Sequence, residues 1–262
     1  MRSLLFETEP NAPQATRFLA KWFSVLLALS LICSLILAAF ASLQYNWNWS
    51  SVFNYRNKLL GAWLTTLQIS SVSLVLSSII GALSALSSRS RFLPLRYLFR
   101  LYVEITRGTP LLVQILIYYY VIADAAHIDN RYTVGTLVLS LFSGAYLSEI
   151  FRAGIESVGS SQLLSAQAIG FDSYQTFRYI ILPQALRQSL PALAGQFANL
   201  IKDSSLLSII AISEFTLAAQ EVNAATLSSF ESFIPLAIGY LILTLPISYL
   251  SRYMERKVSF DT

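Results

Sequence analysis

Charge, sulfur and imidazole are all scarce in this 262-residue chain: 12% of residues are charged, with one cysteine, one histidine and two methionines. The single cysteine, Cys33, lies in an apolar run, which excludes a disulfide framework and a CxxC metal or redox site. His127 has no companions from which a metal site is built. An intramembrane serine protease is excluded as well, because it needs a glycine-flanked serine and a histidine within a span; there is no GxSG, and His127 falls in a predicted loop. The chain also has no GxxxxGK[ST] phosphate loop, so it cannot hold ATP by that device. A net charge of +4 scattered over short loops does not point to nucleic acid as a partner.

What is abundant is apolar surface. With 55% hydrophobic residues and a mean hydropathy of +0.58, the composition is that of an all-α polytopic membrane protein. Six apolar segments are expected to span: Trp22–Leu43, Leu59–Ser88, Leu101–Ala123, Tyr132–Phe151, Ala194–Ile212 and Ile234–Tyr249. The first exceeds the ~7–15 residues of a signal-peptide core, which favours a retained span, although Ala39-Phe40-Ala41 has the small-x-small form of a cleavage site. Between the first two, Tyr45, Trp47, Trp49, Phe53 and Tyr55 are the amphipathic aromatics expected where headgroups meet water, and Tyr118–Tyr120 read the same way. The expected division is 1–58 (N-terminus, first span, interfacial segment), 59–257 (transmembrane core with a loop at 153–193) and a tail at 258–262.

Basic residues orient the chain. Thirteen of the eighteen lie in the N-terminus, the Arg89–Arg100 loop, the Arg152–Arg187 region and the tail, against Arg56, Lys58 and Arg131 on the other side. Both termini and the long loop are therefore expected in the cytoplasm.

That loop carries the most informative pattern. Ser161–Ile169 is a short helix candidate with Gly170 at the C′ position, where glycine adopts the left-handed conformation at little cost. Asp172 starts a second helix and Gln175 completes a capping box; Pro183 and Pro191 limit how far that helix runs unbroken. A connection needs far fewer residues, so two short helices here form a docking knob.

In this loop Ala166, Gly170, Ile180, Leu182 and Pro183 fall on the pattern E-A-A, three residues, G, nine residues, I-x-L-P, which resembles the EAA loop of permease subunits of ATP-binding-cassette (ABC) importers. RGTPLLVQ (Arg107–Gln114), GAYLSEIFRAGI (Gly144–Ile155), ILPQALRQSLPAL (Ile181–Leu193), KDSSLLS (Lys202–Ser208) and AAQEV (Ala218–Val222) resemble its polar amino acid uptake branch, the histidine, glutamine and glutamate permeases. Leu164 and Ser165 depart from the motif, replacing its glutamate and first alanine, which removes a charged contact. The resemblance implies a type I, MetI-like permease fold in a bacterial inner membrane. It also implies a coupling helix docked on a cytoplasmic ATPase through Ala166, Gly170, Phe171, Asp172 and Tyr174. The ATP would be bound by that partner and the permease would carry no cofactor. A second permease subunit, identical or homologous, and an extracytoplasmic solute-binding protein delivering a polar amino acid would complete the assembly.

Within the membrane, Lys202 and Asp203 each cost about 2.5–3.5 kcal/mol, whereas each large apolar neighbour returns about 0.3–0.6 kcal/mol, so the span should be interior. Adjacent residues point ~100° apart, so the two need separate partners: a passing zwitterion or a structural counter-ion. Asn199, Ser204 and Ser205 add groups that a polar solute could use, or that bond their own helix. Pro110 frees the carbonyl of Thr106, so a kink at Thr109 and Pro110 is expected to shape the passage. Glu104 is expected to pair with Arg107, and Glu149 with Arg152, at i,i+3. Glu214, Gln220 and Glu221 read as solvated polar surface toward the outer mouth. An ion-coupled secondary amino acid transporter using Asp203 is the alternative function, but no paired repeat of broken helices supports it.

Overall fold

The computed structural model describes residues 14–41 and 45–259. The chain divides into two compact units, Met1–Trp47 and Asn48–Thr262. In the first, α1 (Gln14–Ala41) contains the apolar stretch Trp22–Leu35. Ser30 and Ser34 donate to the carbonyls of Leu27 (2.9 Å) and Leu31 (2.8 Å), which satisfies both exposed hydroxyl donors within the helix. The end of the expected first span, 42–43, lies outside the described residues.

The regular structure among the described residues of the second unit is helical: α2 (Trp49–Phe53), α3 (Arg56–Ser87), α4 (Leu93–Gly108), α5 (Leu111–Ile117, continued by a π-helical turn over Tyr118–Ala123), α6 (Arg131–Glu156), α7 (Ser160–Ala168), α8 (Ser173–Gln175, continued by a π-helical turn over Thr176–Ile181), α9 (Leu182–Asp203, continued by a 3₁₀ stretch over Ser204–Ile210), α10 (Phe215–Thr226) and α11 (Ser229–Ser259). Three of these, α3, α6 and α11, are long and apolar enough to cross a membrane; two bent pairs raise this to five, and with α1 there are six apolar segments. The all-α polytopic architecture expected from the sequence is the one observed.

Small residues hold the bundle together. In α3 the buried face is Thr66, Ser70, Ser73, Ser77, Gly81 and Ser84, and α6 answers with Ser140, Ser143, Gly144 and Ser148. Lipid tails are as apolar as leucine, so helices associate in a bilayer by packing and hydrogen bonding, and small side chains allow the backbones to approach. A Cβ on Gly81 would sit 2.7 Å from Leu147 Cβ, and one on Gly144 2.9 Å from Ile80 Cγ2. Ser73 Oγ donates across the interface to the carbonyl of Thr136 at 3.2 Å.

Two helix breaks were larger than expected. The third span is bent by 112° between α4 and α5, with Thr109 and Pro110 both extended. Ser213–Phe233, expected as an outer segment, contains α10, which follows α9 across a 51° bend through Ala211 in the left-handed region (φ 56°). The turn is anchored by Glu214, which corrects its reading as solvated surface. Glu214 is fully buried and caps α10, accepting from Thr216 N (2.8 Å) and Leu217 N (2.9 Å), while Tyr240 Oη donates to it at 3.0 Å. Glu221 is bound to Lys58 at 2.7 Å. Tyr118 and Tyr119 pack against the core cluster of Ile115, Val138, Leu139 and Leu207 rather than forming a belt; Tyr120 alone of the three is exposed. Pro191 does not interrupt α9, which runs through it from the loop into the membrane.

Because Gly81 and Gly144 have no room for a side chain, Gly81→Val or Gly144→Leu is expected to destabilise the bundle by about 1–3 kcal/mol. Thermal unfolding of the detergent-purified protein checks this, with a lower midpoint for both variants.

Candidate functional site

The helix pair in the loop forms as its residue pattern requires. Helix α7 ends in a Schellman motif: Phe171 N donates to Ala166 O and Gly170 N to Gln167 O, both at 3.0 Å. Gly170 has φ +85°, and a Cβ there would meet nothing within 4 Å, so glycine is needed for its backbone rather than for space. Asp172 Oδ1 accepts from Gln175 N at 2.7 Å while Asp172 N donates to Gln175 Oε1 at 2.9 Å, completing the expected capping box. Gln184 on α9 donates to Gln162 on α7 at 2.6 Å, tying the knob to the helix that follows.

These contacts sort the five docking candidates. Tyr174 is 72% exposed and Leu164 65% exposed, whereas Ala166 is 2% exposed. Ala166 therefore positions the turn through its carbonyl and its small side chain; its expected part as a contact residue is corrected. Phe171 is half-buried, 6.2 Å from the Tyr179 ring, and Gly170 and Asp172 are exposed. Leu164, at the position of the motif's glutamate, presents an apolar side chain outward.

Below the loop, α6 and α9 nearly touch. A Cβ on Gly154 would collide with Ser189 Oγ and lie 2.8 Å from Ala185 O. Helix α9 then carries the intramembrane polar residues. Asn199 and Lys202 are exposed and Asp203 is half-buried, and among the described residues neither Lys202 nor Asp203 forms an ion pair. Ser204 is fully buried and donates to Ile201 O at 2.8 Å; Ser205 donates to Lys202 O at 2.7 Å. Both serines donate to their own helix; Ser204 is buried away from any solute, whereas the half-buried Ser205 keeps its oxygen lone pairs and stays with Asn199, Lys202 and Asp203 among the residues expected along the passage.

At the bend between α4 and α5, the carbonyl that Pro110 deprives of its helical donor is served by a residue the sequence reading did not single out. Gln114 Nε2 donates to Thr106 O at 2.7 Å, Thr109 Oγ1 at 2.8 Å and Thr109 O at 3.2 Å, clamping the extended residues in place. A glutamine four residues after a proline was the available signal. Arg107 does not take Glu104 as its carboxylate. It reaches Glu149 on α6 at 3.3 Å, and Glu149 also receives Arg152 at 2.7 Å, as expected. Arg152 continues the chain to Glu156 at 2.7 Å. The last turn of α4 is thereby tied to the end of α6 that leads into the loop.

This arrangement of spans and loop is that of a type I ABC importer permease subunit. The transmembrane chain of a crystallised amino acid ABC transporter with histidines superposes with a TM-score of 0.76 at 31% identity, over 81% of this chain and 100% of that one. An inward-facing methionine transporter, MetNI, shares the fold with a TM-score of 0.62 at 15% identity, over 78% and 96%. Residues 77–260 match the binding-protein-dependent transport system inner membrane component family, and the chain belongs to it. It is similar to the probable glutamine ABC transporter permease GlnM of Bacillus subtilis (34% identical, 80% of this chain and 98% of the relative). It also resembles the glutamine transport permease GlnP of Escherichia coli K12 (32%, 80% and 97%). The chain is a transport subunit and not an enzyme, and the ion-coupled alternative finds no support among these relatives.

Removing the Gln114 donor leaves Thr106 O buried without a partner, at a cost of about 1–3 kcal/mol. Gln114→Glu keeps the shape but accepts instead of donating, so it is expected to lower the unfolding midpoint of the purified protein at least as much as Gln114→Ala. An unchanged midpoint for Gln114→Glu contradicts the clamp.

Proposed function

We propose that this permease imports a polar amino acid. In this reading the 157–181 loop lies in the cytoplasm and docks on an ABC ATPase subunit, and Asn199, Lys202, Asp203 and Ser205 contact the solute between this chain and a second permease subunit. Thr109 and Pro110 shape the passage at its bend. An extracytoplasmic binding protein supplies the solute, and both termini are cytoplasmic. The substrate class is supported by the names of the glutamine permeases that this chain resembles.

The observation that carries the reading is mechanical. The knob of α7 and α8 has a backbone fixed by the Gly170 turn and the Asp172 cap, exposes Leu164 and Tyr174, is joined to α6 by only three residues, 157–159, and runs into α9 through a π-helical turn over Thr176–Ile181. Movement of a partner under the knob therefore reaches Lys202 and Asp203 along α9 itself. With leucine at the motif's glutamate position, docking rests on shape and apolar contact.

Reconstitution with an ATPase subunit and a binding protein tests this. Glutamine uptake into proteoliposomes is expected to require ATP inside or outside according to orientation, with no response to an imposed ion gradient. A carboxylate placed in the apolar contact, as in Tyr174→Asp or Leu164→Asp, should lower ATPase co-purification at least about tenfold, the size of effect expected for an interface anchor. Asp203→Asn and Lys202→Met should reduce uptake while leaving co-purification intact. Loss of assembly in the latter pair would assign those residues to structure.

A further inference from the structure

A polar cavity of about 430 Å³ opens among the last turns of α3, the length of α4 and the end of α6. It lies at the ends of α3 and α6, two helices long and apolar enough to cross a membrane. Its lining includes four arginines, Arg89, Arg100, Arg107 and Arg152, against three glutamates, Glu104, Glu149 and Glu156, a net charge of +1. Arg107 and Arg152 are engaged with Glu149 and Glu156, whereas Arg89 and Arg100 form no ion pair among the described residues.

The second observation is Ser84, which lines the same cavity. It is fully buried, and its hydroxyl has no hydrogen-bond partner among the described residues. On the same helix Ser70 is also buried without a partner, but it does not line this cavity, whereas Ser77 and Ser78 donate to Leu74 O at 2.9 and 2.7 Å and the capping Ser88 donates to Ala85 O at 2.7 Å. Ser84 is thus a buried hydroxyl without a partner in the wall of a cavity whose two exposed guanidinium groups, Arg89 and Arg100, have no carboxylate among the described residues, an arrangement that suits an anionic acceptor.

We propose that this cavity binds the phosphate of a membrane phospholipid, with Arg89 and Arg100 as cationic partners and Ser84 as hydroxyl donor. One phosphodiester carries a single negative charge, which matches the lining. A lipid rather than a free phosphate is indicated by the outer face of α4, where Tyr97, Leu98, Leu101 and Ile105 are each more than half exposed next to the cavity and offer a bed for acyl chains. Basic pockets between transmembrane helices are established headgroup sites in physical terms, because low dielectric and fixed donors strengthen the attraction.

Native mass spectrometry of the assembled transporter in mild detergent, with added phosphatidylglycerol, is the test. The wild type is expected to retain at least one lipid per permease, Arg89→Gln/Arg100→Gln to lose most of it, and Ser84→Ala to retain several-fold less. Thermal unfolding supplies an independent arm. Phosphatidylglycerol should raise the wild-type midpoint more than that of the double variant, and inorganic phosphate should not. Equal lipid retention in all three proteins overturns the proposal. So does protection by inorganic phosphate equal to that by lipid, which identifies a free-anion site, and so does a Ser84→Ala protein more stable than wild type in the presence of lipid, which identifies an unfilled hydroxyl.

Discussion

The approach of α6 to α9 at Gly154 is the constraint on which the rest depends. With Ser189 Oγ and Ala185 O where a side chain would stand, the two helices leaving the loop are locked backbone to backbone at its base. Ser189 also donates to Ile150 O at 3.4 Å. A loop of two short helices hung from independent spans would deflect by itself. Hung from a pair in van der Waals contact, it moves with them, and a displacement at the knob is delivered to the bundle as a whole.

The same bundle handles its polar groups by giving each an internal partner at the points where helices break. The bend of α4 to α5 exists because Pro110 cannot donate, and it is stable because Gln114 donates in its place. The turn before α10 is stable because Glu214 caps it with both carboxylate oxygens. Irregular backbone is tolerated at membrane depth only under such terms, and the second of these breaks follows directly on α9 and its 3₁₀ continuation. Arg107, Glu149, Arg152 and Glu156 form a chain of ion pairs from the bend to the mouth of the loop.

Local signals in the sequence were read correctly where local physics decides the outcome. Gly170, Asp172 and Gln175 determined the loop's turn because a left-handed residue and a capping box need no distant partner. The apolar runs located the spans because length and hydropathy suffice for that. Contacts across the bundle were not legible. Arg107 has a carboxylate three residues away in sequence and takes Glu149 instead, since the bend of the chain brings α6 within reach. Glu214 has no sequence mark separating a buried cap from a solvated acid; only the packing of α3 and α11 around it tells them apart. Ala166 lies on the motif, yet the motif does not say that its side chain turns inward.

The central claim is that the loop drives transport through the rigid joint at Gly154. Gly154→Val pushes α6 and α9 apart without touching the exposed tip at Leu164 and Tyr174. The most direct measurement is the number of ATP molecules hydrolysed per substrate molecule imported, in proteoliposomes containing the complete transporter. The account predicts that Gly154→Val retains the ATPase and its hydrolysis while import falls, raising that ratio at least about tenfold; an unchanged ratio would contradict it.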